Sequence, residues 1–236
     1  MKIDSAFYHD LTLATIHFLG EYYSTMESEL ELLKSQERER IRAEITNQQL
    51  APEEIEAEWD IGLQEYEAKY EMHYTNFYHY SFVVLVYLIV EDKLRELCQV
   101  VQDVKNFAEQ PPQASRDIIK TYRNYLKKAG VSIDDQLWQP IYDIKEVRHC
   151  IVHASGNVKL SKTKNAKRVK HLEELARRNI GLVISGSHYM GKLTPLYLED
   201  NRLLLESEYC KLIVNDVRKF FQELCKTVPL PRVEFG

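Results

Sequence analysis

The sequence predicts a mainly α-helical protein, an up-and-down helical bundle with a long protruding helical hairpin and a small β-hairpin. Three observations predict it. The 236 residues include only 8 Gly and 7 Pro, too few for the many tight turns of a sandwich or barrel. Apolar residues recur three and four positions apart over stretches much longer than a strand. The run Phe82 to Val90 is apolar throughout, the pattern of a helix at the centre of a bundle. With 44% hydrophobic residues and this length, one domain over residues 1–236 is expected.

The first helix is expected from Ser5 to about Asn47, because only Gly20 interrupts it and Leu13, Ile16, Leu19 and Tyr23 fall at helical spacing. Its second half is dominated by charge, with Leu30, Leu33, Ile41 and Ile45 as a thin apolar stripe. Pro52 opens a second helix at the position where a missing N–H does no harm, and Glu53, Glu54 and Glu56 suit the positive helix end. That helix can run past residue 100. Its early stripe, Ile55, Trp59, Leu63, Tyr66 and Tyr70, matches that of the first helix, so residues 25–72 are expected to pair as an antiparallel arm.

After Pro111-Pro112, Ser115 is the expected cap of a short helix through Lys128, closed by Gly130. The next helix begins near Asp134 or Asp135, buries Leu137, Trp138, Ile141, Ile144, Val147 and Ile151, and ends near His153 before the turn Ser155-Gly156-Asn157. Residues 157–205 form a basic segment with a small hairpin insertion. LVIS at 182–185 and the pair LTPLYLED and RLLLES around Asp200-Asn201 read as a short strand and that hairpin. Glu206 to Lys226 is an amphipathic helix.

Cys98, Cys150, Cys210 and Cys225 are widely spaced without a C-x-x-C pair, which favours buried, reduced thiols over a disulfide framework or zinc knuckle. The first ten residues lack the basic start and apolar run of an export signal, and no apolar stretch approaches the ~20 residues needed to span a bilayer. A soluble, cytoplasmic protein without membrane contact is expected. The formal charge of -5 by itself argues against nucleic acid. Divided at residue 110, however, it becomes -13 for the first part and +8 for the second. Such asymmetry points to an anionic partner for the basic part, or to attraction between the two parts within a fold or across a dimer.

The densest chemical motif is EVRHCIVHASGN at 146–157, where Arg148 and His153 flank four residues at a helix end. Histidine is the side chain that titrates nearest neutrality, and arginine offers a permanent cation with paired donors for phosphate. Together they supply a proton shuttle and a charge clamp, the minimum for phosphoryl chemistry without a metal.

R-H-C-I-V-H, followed by A-S-G-N and preceded by a helix that begins D-D-Q-L-W, closely resembles the signature of the HEPN superfamily. The resemblance extends to the apolar second helix leading into Glu91-Asp92, the hairpin near Asp200 and the last helix with Phe220-Phe221, and covers roughly residues 75–155 and 195–226. It implies a homodimeric, metal-independent endoribonuclease with a composite active site, of the kind found among toxins and abortive-infection or antiviral defence effectors. On that implication His153 acts as general base or acid at the ribose 2′-hydroxyl and the leaving oxygen. Arg148 stabilises the pentacoordinate phosphate and His149 orients it, with Glu91, Asp92 and Asn157 supporting them. The basic segment lies outside the resemblance, but its position directly after the motif makes Lys159, Lys162, Lys164, Lys167, Arg168 and Lys170 candidates to hold an RNA backbone. RNA and an antitoxin or defence-system protein are the implied partners; no metal or other cofactor is implied. Ser155 stands where toxins controlled by nucleotidyltransferase antitoxins carry tyrosine, so that form of control is not implied. Members that bind RNA or protein without cutting also exist, and a silent module of this kind is the alternative.

Other readings compete at single features. Glu146, His149 and His153 share a helix face that could present a metal, but a di-iron bundle needs two Glu-x-x-His motifs and two further glutamates, and only one such motif is present. Tyr66, Tyr70, Tyr74 and Tyr78 could stack on bases, although packing in a bundle seam is the commoner use of such a ladder. The basic stretch is either a solvated helix or a backbone clamp. Glu91, Asp92 and Arg95 also read simply as the polar end of the core helix.

Overall fold

The structure, a computed structural model, describes residues 5–48, 51–113, 115–159, 166–185 and 201–228. It is mainly helical with one two-stranded antiparallel sheet. In chain order the elements are α1 (Ser5–Asn47), α2 (Pro52–Tyr66), a π-helical segment (Glu67–Tyr74), α3 (Thr75–Lys105), α4 (Ile118–Lys128), α5 (Asp135–Ala154), α6 (Ala166–Arg178), β1 (Leu182–Ile184), β2 (Leu203–Leu205) and α7 (Ser207–Lys226). Among the described residues no helix is long and apolar enough to cross a membrane. The chain divides into two compact units, Met1–Gly20 with Val83–His149 and Cys210–Gly236, and Glu21–Phe82 with Cys150–Tyr209.

The first unit is a helical core. Its buried surface comes from Ile16 and Leu19 of α1, Val86, Val90 and Leu94 of α3, Tyr122 and Leu126 of α4, Ile141 and Val147 of α5, and Val217, Phe220 and Phe221 of α7. Trp138 meets Phe220 edge to face with centroids 4.8 Å apart, an arrangement that adds to simple burial. Tyr8 is buried and donates its hydroxyl to the Lys93 carbonyl at 2.6 Å. The apolar run of α3 is less enclosed than its composition implies. Val86, Tyr87 and Val90 are buried, but Leu88 is 51% exposed, because a 3.6-residue period turns one position per turn away from the core.

Two details of α4 and α5 differ from the expectation. The N-cap of α4 is Asp117, not Ser115: the Asp117 carboxylate accepts the Lys120 N–H, while Ser115 Oγ accepts the Asp117 N–H outside the helix. Gly130 closes α4 as expected, at φ +71 with the Val131 N–H returning to the Leu126 carbonyl. Along α5, Leu137 and Ile151 are only half-buried, whereas Cys150 and Ala154 are buried. Small side chains therefore complete the buried stripe at the helix end.

In the second unit the charged half of α1 pairs antiparallel with α2 and the π-helical segment. Lys34 bonds Glu71 at 2.9 Å, the Arg38 guanidinium covers the Tyr66 ring at 4.6 Å, and Arg42 lies over Trp59 at 6.0 Å. Gly62 keeps the helices close, since a Cβ there would stand 2.8 Å from Ile41 Cγ2. Leu33 is half-exposed and takes no part in this seam; buried Lys34 occupies the inward position instead. Tyr66 and Tyr78 are twelve residues apart, about a third of a turn out of phase on a regular α-helix. The wider π turns between them absorb that difference, so Tyr66 and Tyr70 line the seam while Tyr78 stacks on Tyr23 and donates to its carbonyl at 2.8 Å. The ladder is mostly packing, with Tyr74 left exposed.

The sheet pairs Leu182 with Leu205 and Ile184 with Leu203. β1 therefore finds its partner in RLLLES; LTPLYLED lies outside the described residues. α6 packs on β1 through fully buried Leu172 and Leu175, as its amphipathic pattern requires.

Candidate functional site

α5 starts where Asp134 Oδ1 accepts the Gln136 N–H at 2.9 Å and is oriented by its buried stripe from Trp138 to Ala154. Arg148 and His149 are half-buried and His153 is exposed. Five positions on a regular α-helix place Arg148 and His153 about 140° apart round the axis, so they share no face of α5. His149 and His153, four positions apart, do.

The helix stops sharply after the motif. Ser155 and Gly156 adopt φ +49 and +79, and the Gly156 N–H returns to the Cys150 carbonyl at 3.1 Å, the pairing expected when a helix closes through left-handed residues. Tyr80 fixes the turn from the other side. A Cβ on Gly156 would lie 2.1 Å from its hydroxyl oxygen, and that hydroxyl donates to the Leu203 carbonyl. The Leu203 N–H donates to Gly156 and the Val158 N–H to Asn201, both at 2.8 Å. The chain leaving His153 is thus stitched to β2.

Arg148 has an unusual environment. Its guanidinium carbon lies 5.2 Å from the centroid of the Tyr87 ring, a cation–π distance. Its Nε is buried without a hydrogen-bond partner, and no carboxylate of a described residue pairs with it. Neighbouring Lys145, by contrast, is paired to Asp117 at 3.0 Å. Burial and then the Glu91 carboxylate push the Tyr87 hydroxyl up to about 12, with Arg148 acting in the opposite direction. Glu91, Tyr87 and Arg148 are therefore one electrostatic group. Asp92 instead pairs with Arg95 on its own helix, and Asn157 Oδ1 accepts the Lys159 N–H at 3.0 Å within the turn.

Of the basic residues, Lys159, Lys167 and Lys170 are exposed and Arg168 is half-buried; Lys170 approaches Glu174 at 3.9 Å. Lys162 and Lys164 lie outside the described residues. Cys98, Cys150, Cys210 and Cys225 form no disulfide among the described residues. Burial raises Cys98 and Cys225 to about 12 and Cys150, against the opposing charge of Arg168, to about 11, so these three are not ready nucleophiles. Among the described residues no three His, Cys, Asp or Glu side chains cluster to hold a metal ion.

Sequence reasoning missed Tyr87 and Tyr80. Each is a tyrosine in or beside an apolar run, and its signal is the hydroxyl that such a buried ring must satisfy or shield. No protein family model, curated protein or solved structure matches the chain.

Proposed function

We propose that the protein is a metal-independent endoribonuclease of HEPN type, acting as a cytoplasmic homodimer in the manner of a toxin or anti-phage defence effector. The observation that carries this reading is Arg148, a half-buried cation without a carboxylate partner among the described residues, five residues before exposed His153 at the end of the same helix. A cation that no described carboxylate pairs with is suited to a phosphodiester. His153 removes the ribose 2′-hydroxyl proton as the oxygen attacks phosphorus; the bond to the 5′-oxygen breaks, and that oxygen is protonated as it leaves. Arg148 stabilises the added charge on the phosphorane, and His149 orients the phosphate. As the resemblance to the HEPN superfamily implies, the motifs of two copies meet, and the second copy supplies the complementary group; the separation of Arg148 and His153 round α5 is compatible with this. The products are a 2′,3′-cyclic phosphate and a free 5′-hydroxyl.

The exposed cations of α6, Lys167, Lys170, Arg177 and Arg178, favour a second reading, a catalytically silent module that binds RNA or a protein partner. One assay separates them. Structured RNA is incubated in excess chelator with the protein and with Arg148→Ala and His153→Ala. The ribonuclease reading requires cleavage that both substitutions abolish; intact RNA with retained, salt-sensitive binding favours the silent module.

A further inference from the structure

The ring that carries Arg148 has a role of its own, on the premise that Arg148 is the cation that meets phosphate. Tyr87 projects from the core helix α3 and is 7% exposed, so its ring is held by packing rather than by the arginine. A half-buried arginine is ordinarily fixed by a carboxylate, which also neutralises it and occupies its N–H donors. The face of a phenol ring holds the guanidinium at 5.2 Å while accepting nothing from those donors along their own plane. The Nε that remains buried without an acceptor is a destabilising feature, of the sort found where a group is kept for a ligand. Glu91 acts on the Tyr87 hydroxyl, and no carboxylate of a described residue is paired with the guanidinium.

We propose that Tyr87 is the positioning residue that presents Arg148, unneutralised, to a phosphate group. The ring sets the direction of the guanidinium, and the phosphate supplies the counter-charge that no described residue provides.

The test uses the full chain with labelled arginine side chains, and inorganic pyrophosphate as the probe. Variants are Tyr87→Phe, which keeps the ring, Tyr87→Leu and Tyr87→Met, which remove it at different volumes, and Arg148→Lys. The Arg148 Nε–H resonance is expected to carry a ring-current displacement in the parent and Tyr87→Phe and to lose it in folded Tyr87→Leu or Tyr87→Met. Pyrophosphate is expected to move that resonance, with a Kd about tenfold weaker without the ring and within about twofold of the parent in Tyr87→Phe. A purely structural tyrosine would leave the pyrophosphate Kd of folded Tyr87→Leu and Tyr87→Met at the parent value. Equal pyrophosphate affinity with and without the ring, or no binding by the parent, overturns the proposal. Intact RNA together with ring-dependent pyrophosphate binding overturns the ribonuclease reading and leaves this one standing.

Discussion

Gly156 shows how one residue sets the end of the motif helix. Its positive φ favours glycine, and the Tyr80 hydroxyl occupies the space a side chain would need. Gly156→Ala is therefore expected to lose about 2 kcal/mol or more of stability, read as a fall in the urea midpoint; an unchanged midpoint would contradict this account of the turn. His79 makes a second prediction. Its buried ring donates from Nδ1 to the Leu205 carbonyl and accepts at Nε2 from the Tyr23 hydroxyl at 3.2 Å. Burial lowers its pKa from the ordinary histidine value, against the raising effects of the Leu205 carbonyl and Glu27. The fold thus holds the neutral ring, while the unfolded chain takes up a proton near pH 6.5. The stability contributed is complete above about pH 6.5 and falls as the pH drops from there toward the folded value. Urea midpoints at pH 7.5 and 5.5 should differ less in His79→Gln than in the parent.

At the scale of elements, the arm is held by charge as much as by apolar contact. Lys34 is buried, which disfavours its charge, yet the Glu31 and Glu71 carboxylates outweigh this and raise its pKa. Glu71 also receives Arg38 at 3.3 Å and the Tyr66 hydroxyl at 3.2 Å. Glu71→Gln leaves a buried ammonium with one partner and is expected to lose about 2 kcal/mol, between the values for exposed and buried pairs; unchanged unfolding in urea would show that the seam rests on its apolar contacts. The bounds of α1 and the start of α2 were legible because Pro52 and an unbroken periodic run are strong local signals. The cap of α4 was not, since Ser115 and Asp117 are both capping types and only the backbone decides between them. Nor was the π-helical segment, for a change of helical pitch leaves no mark in composition. The partner of β1 lies beyond residues 186–200, so local pairing signals could not reach it.

For the whole molecule, the charge is -13 over residues 1–110 and +8 over the remainder, so on the proposed function the later part of the chain is the part expected to meet RNA. RNA affinity should fall steeply with salt, and Lys167→Ala with Lys170→Ala should reduce the slope of log K against log salt by about 1.4, or about 0.7 for each single-strand phosphate contact. An unchanged slope would place the contact elsewhere. The candidate site was legible in part. Arg148 and His153 stand out in the linear motif, but the Tyr87 ring that carries the arginine comes from a helix some sixty residues earlier, and such a contact exists only after folding. The central claim is that these two residues cleave RNA without a metal, and its most direct measurement is end-group analysis of structured RNA incubated with the protein in excess chelator. The account predicts 2′,3′-cyclic phosphate and 5′-hydroxyl ends that disappear in both Arg148→Ala and His153→Ala. Ends bearing a 5′-phosphate, or cleavage that persists in both variants, would contradict it.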